Sequence, residues 1–179
     1  MIMDDFIGLV FENKLGHKYM VVEFIKSDPK NRFYEVEFLN TGYRKITTKT
    51  AIKRGAIKDQ YEPSVAGVGY KGDCEFSAHT KEYRVWHNMI NRCYNPLSTE
   101  YPHYGEKGVL VCDEWHNFAK FCEDLPFVEG WDPDKFYNGE IFLDKDRKSD
   151  PDHKIYSLET CIFLDATENN PINNFNIYK

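Results

Sequence analysis

The sequence predicts an α+β fold in which a small β-rich module precedes an α/β part. Three observations carry that prediction. Runs of β-branched and aromatic residues crowd the N-terminal third, a helical apolar repeat follows at Lys81–Cys93, and short apolar runs return at Ile141 and Cys161. With 179 residues the chain is long enough to bury one substantial core or two small ones. A hydrophobic content of 41% and an aromatic content of 16% point to a globular protein rather than a disordered one.

In the first part, "YMVVEFI" (Tyr19–Ile25) and "FYEVEFL" (Phe33–Leu39) read as strands, the second with clear alternation. The turn-rich "SDPKN" (Ser27–Asn31) joins them. Residues 40–55 begin with a turn around Gly42 and continue as a Thr-rich basic strand with a final short piece. Several short strands in so short a span suggest a small barrel or curled sheet, as in SH3-like folds. Pro63 and three glycines make the stretch around 63–80 the natural linker. The expected organisation is therefore a basic β module at 1–62, a linker at 63–80 and a second domain at 81–179.

The second part opens with a helix over Lys81–Cys93. Tyr83, Trp86, Met89, Ile90 and Cys93 recur at three- and four-residue steps, and Arg84 and Arg92 lie off that stripe. Residues 95–108 read as a loop and Val109–Cys112 as a short strand. Asp113–Leu125 reads as one helix with Asp113 as N-cap and Trp115, Phe118, Phe121, Cys122 and Leu125 on its apolar face. His116 decorates that helix. "IFLDKD" and the segment from Tyr156 to Leu164 read as strands. A short helix near Asp165–Asn170 stops before Pro171.

No apolar run approaches the ~20 residues that span a bilayer. The acidic start, Met1-Ile2-Met3-Asp4-Asp5-Phe6, lacks the pattern of a secretory signal, so a cytoplasmic protein is expected. Five widely spaced cysteines without a C-x-x-C pair argue against a disulfide framework and a four-cysteine zinc site, leaving free and mostly buried thiols. The net charge of −6 is uneven. Residues 14–58 hold eleven Lys/Arg and four Asp/Glu, whereas residues 59–179 hold twelve bases and twenty-two acids. An acidic chain with a basic segment can touch phosphate locally, although lysines on solvated strand edges give the same pattern. If the basic strand is continuous, alternation puts Lys45, Lys49 and Lys53 on one face, with Arg54 beside them.

The most informative stretch is "IFLDKDRKSDPDHKIYSLETCIFLDATENN", which runs from Ile141 to Asn170. Asp144 ends an apolar strand, and Asn169 and Asn170 follow the returning one. Hairpin-tip charges and helix capping would account for these residues. So would a site for a hard cation, which takes carboxylate and amide oxygens.

The pattern resembles the ββα-metal motif of HNH nucleases. "YGEKGVLVCDEWHNFAKF" followed by "LDKD…YSLETCIF", and preceded by "YRVWHNMINRCYN", is similar to a group of phage-borne HNH-type, homing-endonuclease-like proteins. The resemblance covers nearly the whole chain. It implies a domain ending in a ββα unit, with Asp144 and one of Asn169 or Asn170 as ligands of one Mg²⁺ or Mn²⁺ and no zinc. It implies double-stranded DNA as partner, in the host cytoplasm and away from membranes. The usual Asp-His pair is Asp144-Lys145 here, and lysine, with an ordinary pKa near ~10.4, is a poor base. By analogy with related enzymes carrying Arg there, Lys145 would clamp phosphate and Tyr104 would activate water, with His103 as the alternative base. The usual Asn of the returning connection is Thr160, which can accept a hydrogen bond but lacks two amide donors. Lys45, Lys49, Lys53, Arg54, Arg84 and Arg92 are the candidate DNA contacts. The two departures also fit a different expectation, a catalytically degenerate DNA-binding or host-protein-binding phage protein.

Overall fold

The structure is a computed structural model describing residues 4–145 and 154–165. It divides into two compact units, with the boundary between Glu62 and Pro63. The fold is mixed α+β, with one antiparallel sheet at the N-terminus and helices later. Among the described residues, no helix is long and apolar enough to cross a membrane.

The first unit is a four-stranded antiparallel sheet in the order β1 (Val10–Glu12), β2 (Lys18–Ser27), β3 (Arg32–Phe38), β4 (Arg44–Thr48). Alternation along β3 sends Tyr34, Val36 and Phe38 inward, fully buried, and Glu35 and Glu37 outward. Tyr19, Val21, Phe6, Ile52 and Ile57 complete that core. At about 1.5–3 kcal/mol per large side chain, this burial holds the sheet together. The Tyr19 hydroxyl is not left stranded, because it donates to the Ile52 carbonyl at 2.7 Å.

The basic segment is not one strand. The chain leaves the sheet after Thr48, whose hydroxyl accepts from the Ala51 amide at 3.2 Å and starts the short helix α1 (Lys49–Lys53). Lys45, Lys49 and Lys53 therefore share no strand face. Lys45 pairs opposite Val36, on the core side of the edge strand, and is half-buried. The Lys49 ammonium lies 4.2 Å above the Phe6 ring. Lys53 and Arg54 are exposed at the helix end.

The second unit is built on α2 (Lys81–Tyr94). The Thr80 hydroxyl caps it by accepting from the Tyr83 amide, and Trp86, Met89, Ile90 and Cys93 are buried. The predicted helix over Asp113–Leu125 is two helices, α3 (Asp113–His116) and α4 (Phe118–Asp124). Asn117 breaks them because its side chain accepts from the Ala119 amide and starts a new helix. Cys112, not Asp113, is the N-cap position of α3. The break lets the chain from the supposed linker pack here. Tyr70 exchanges main-chain bonds with His116 and Phe118, and Val65 joins the core. The stretch from 63 thus belongs to the second unit.

After α5 (Pro133–Asn138), two antiparallel strands, β6 (Ile141–Asp144) and β8 (Ile162–Asp165), pair with Asp144 opposite Ile162 and Ile141 opposite Asp165. Between them in sequence lies β7 (Ile155–Tyr156), which pairs in parallel with β5 (Leu110–Val111). Asp165 ends β8, and the helix expected near Asp165–Asn170 falls almost wholly outside the described residues. All five cysteines are free. Cys93 and Cys161 are buried, and the other three are half-buried.

Candidate functional site

The site is assembled by four short constraints. The first is the approach of the Gly105 loop to α2. A Cβ at Gly105 would fall far inside contact distance of the Cys93 carbonyl oxygen and the Tyr101 ring, so only glycine fits. That contact sets Tyr104, which sits between two 3₁₀ turns, Tyr101–His103 and Gly105–Lys107.

The second constraint is the Tyr94 hydroxyl, which bonds both main-chain groups of Val111, at 2.9 and 3.1 Å, and lies 3.1 Å from Nε2 of His116. His116 is thus a brace for β5 rather than a helix decoration. The third is the parallel pairing of Val111 with Tyr156, backed by the Cys112 amide donating to the Tyr156 carbonyl at 2.9 Å. The fourth is Thr160. Its hydroxyl accepts from the Ser157 amide at 3.0 Å and donates to the Ile155 carbonyl at 2.6 Å. One hydroxyl closes this loop by accepting and donating at once, which the sequence reading did not anticipate.

These constraints deliver a cleft of about 740 Å³ between α2, the Tyr104 loop, α5 and β6. Its lining includes Lys81, Arg84, Asn88 and Arg92 from α2, Tyr104, Tyr156, and Asp144 with Lys145 from the end of β6. Four cationic side chains face one carboxylate among the described lining residues. At the far end Lys81 donates to the Phe136 carbonyl and Tyr137 donates to Glu82, which tie α5 to the start of α2. Partnering Glu82 pushes the Tyr137 hydroxyl up to about 12.

At the near end the two cations share the same two rings. The Arg92 guanidinium lies 4.7 Å from the Tyr104 centroid and 4.9 Å from that of Tyr156. The Lys145 ammonium lies 5.6 Å from each. Lys145 is only 4% exposed, although it is a lysine just past a strand end. Burial pushes the Tyr156 hydroxyl up, with Arg92 opposing the shift. Burial likewise pushes the Cys93 thiol up to about 11, against the pull of Arg92 and Lys145.

The structure brings together Asp144, Lys145, Tyr104, Arg84 and Arg92 in one cleft. His103 is not among the lining residues and is exposed on its turn. Lys45, Lys49, Lys53 and Arg54 belong to the other unit. Asn169 and Asn170 lie outside the described residues, and among the described ones no three His, Cys, Asp or Glu side chains cluster. The sequence reading missed Asn88 and Tyr156. Asn88 stands four residues from both Arg84 and Arg92, and that spacing was the available signal. Comparisons with family models, curated proteins and solved structures give no match to this chain.

Proposed function

We propose that the protein is a divalent-metal-dependent DNA endonuclease of the phage-borne HNH type, a homing or nicking enzyme acting in the host cytoplasm. The observation that carries this reading is that Asp144, Lys145, Tyr104, Arg84 and Arg92 line one cleft. One strand-end carboxylate suits Mg²⁺ or Mn²⁺, which bind through one or two carboxylates together with waters and substrate phosphate. Asp144 would hold the ion, with Asn169 or Asn170 as the second ligand and the strand pair β6–β8 as the ββ part of the motif. When bound, the ion would polarise the phosphodiester and stabilise the leaving oxygen. Lys145 supplies a fixed positive charge to the phosphate oxygens, and Tyr104 borders the position a hydrolytic water would take. The N-terminal sheet would serve as an SH3-like module that meets the DNA backbone through Lys53 and Arg54.

A plasmid-nicking assay with Mg²⁺ or Mn²⁺ tests the reading. The wild-type protein converts supercoiled plasmid to nicked or linear form, chelation stops it, and Asp144→Ala loses at least a hundredfold in rate. No cleavage by the wild-type protein with either metal would sink the enzyme reading.

One observation favours a second reading, a degenerate nuclease fold that binds DNA or a host protein without cutting. Lys145 stands where the resembled family has a histidine, and its ammonium lies 5.6 Å from the centroid of each of the Tyr104 and Tyr156 rings. That departure removes the usual imidazole base from the site.

A further inference from the structure

Arg92 and Lys145 bring two positive charges to the same end of the cleft. Two cations are gathered against one pair of tyrosine rings, one of them almost fully buried. The rings attract each cation separately, but they do not remove the repulsion between the two. Among the described residues no ion pair engages Arg92, and its Nε is buried without a hydrogen-bond partner. An anion between the two groups would relieve both costs. The planar fork of arginine beside the point charge of lysine matches a phosphate group in particular.

The rest of the α2 face narrows the class of phosphate. Arg84, Asn88 and Arg92 are spaced by four residues and all line the cleft. Each therefore stands about 6 Å further along the helix than the one before, which puts Arg84 about 12 Å from Arg92. Arg84 and Asn88 are exposed. A phosphate on Arg92 and Lys145 leaves Arg84, two turns away, free to hold another. A chain of phosphates can engage both.

We propose that the cleft is a two-point backbone subsite. Arg92 and Lys145 together grip one phosphodiester, and Arg84 holds a neighbouring phosphate of the same strand, with the Asn88 amide between them. This rests on the nucleic-acid substrate of the proposed function but not on cleavage. The substrate class it defines is an internal phosphodiester with a charged neighbour, in preference to a terminal phosphate or a mononucleotide.

Binding is measured in EDTA, so that cleavage plays no part. With wild-type protein, a single-stranded trinucleotide carrying a 5′-phosphate binds at least tenfold tighter than the 5′-mononucleotide, and equal affinities overturn the proposal without any variant having to fold. With a labelled oligonucleotide over a salt series, Arg92→Gln and Lys145→Met each lower affinity at least tenfold and flatten the salt slope by about 0.7. Arg84→Gln flattens the slope similarly but leaves competition by inorganic phosphate unchanged, whereas Arg92→Gln abolishes that competition. Arg92→Lys, which keeps the charge and loses the fork, is intermediate. Unchanged affinity in Arg92→Gln, or equal loss of inorganic phosphate binding in Arg84→Gln, overturns the two-point site. If these binding results hold and no metal yields nicking, the subsite stands and the endonuclease reading falls. If Arg92→Gln nicks at the wild-type rate, the reverse is true.

Discussion

Thr160→Val isolates the hydroxyl that closes the loop between β7 and β8. Valine keeps the shape, so packing is unchanged and only polar contacts are lost. The Ser157 amide loses its acceptor at 3.0 Å and the Ile155 carbonyl loses its donor at 2.6 Å. At about 1 kcal/mol for each of two hydrogen bonds, the second unit should be destabilised by about 2 kcal/mol. With a urea m-value of about 2 kcal/mol/M, the unfolding midpoint falls by about 1 M. The assay is selective, because Trp86, Trp115 and Trp131 all belong to the second unit and tryptophan emission follows that unit alone. Thr160→Ser keeps the hydroxyl and serves as control. If Thr160→Val stays within about 0.5 kcal/mol of wild type, the loop is held by something else and this reasoning fails.

In the first unit, Lys49→Met removes the charge above the Phe6 and Tyr34 rings and should cost about 1 kcal/mol. Lys53→Met, at an exposed site, should cost nothing measurable, and hydrogen exchange of the β3 amides separates the two; equal protection would refute the contact. Asp4 accepts from the Tyr34 hydroxyl at 2.7 Å and from the Phe6 amide, which holds its carboxyl below the ordinary value of 3.8. Its contribution is therefore complete above that value and is lost as pH falls through the lowered one. Circular dichroism of an acid titration should show the first unit weakening in that window, and Asp4→Asn should flatten the dependence; an unaltered profile would count against it. Gly105→Ala drives a methyl group into the Cys93 carbonyl and should cost about 1–3 kcal/mol in the same tryptophan-monitored urea titration. A neutral result would mean that the Gly105 loop moves away freely.

Regular elements were legible in the sequence where one periodicity was free of competition. The three- and four-residue stripe of α2 and the alternation of β3 both emerged as read. The errors came from residues with two local uses. Thr48 looks like a strand residue and acts as a helix cap, so the basic run leaves the sheet at Lys49. Asn117 looks like a helix residue and starts a second helix. The cleft was half legible. Asp144, Lys145, Tyr104, Arg84 and Arg92 were singled out one by one, but nothing local links them. Tyr156 was missed because its place beside Tyr104 depends on a parallel pairing between residues far apart in sequence, which no window can reveal.

That pairing has a kinetic side. The two residue pairs of β5 and β7 close a segment that contains α3, α4, α5 and β6. Such a long closure costs entropy before its contacts repay it, and a ladder of two pairs is a small reward. The rings that flank Arg92 and Lys145 meet only after this closure. The anion-binding end of the cleft should therefore be among the last parts of the second unit to form, and fragments ending before Tyr156 should never possess it.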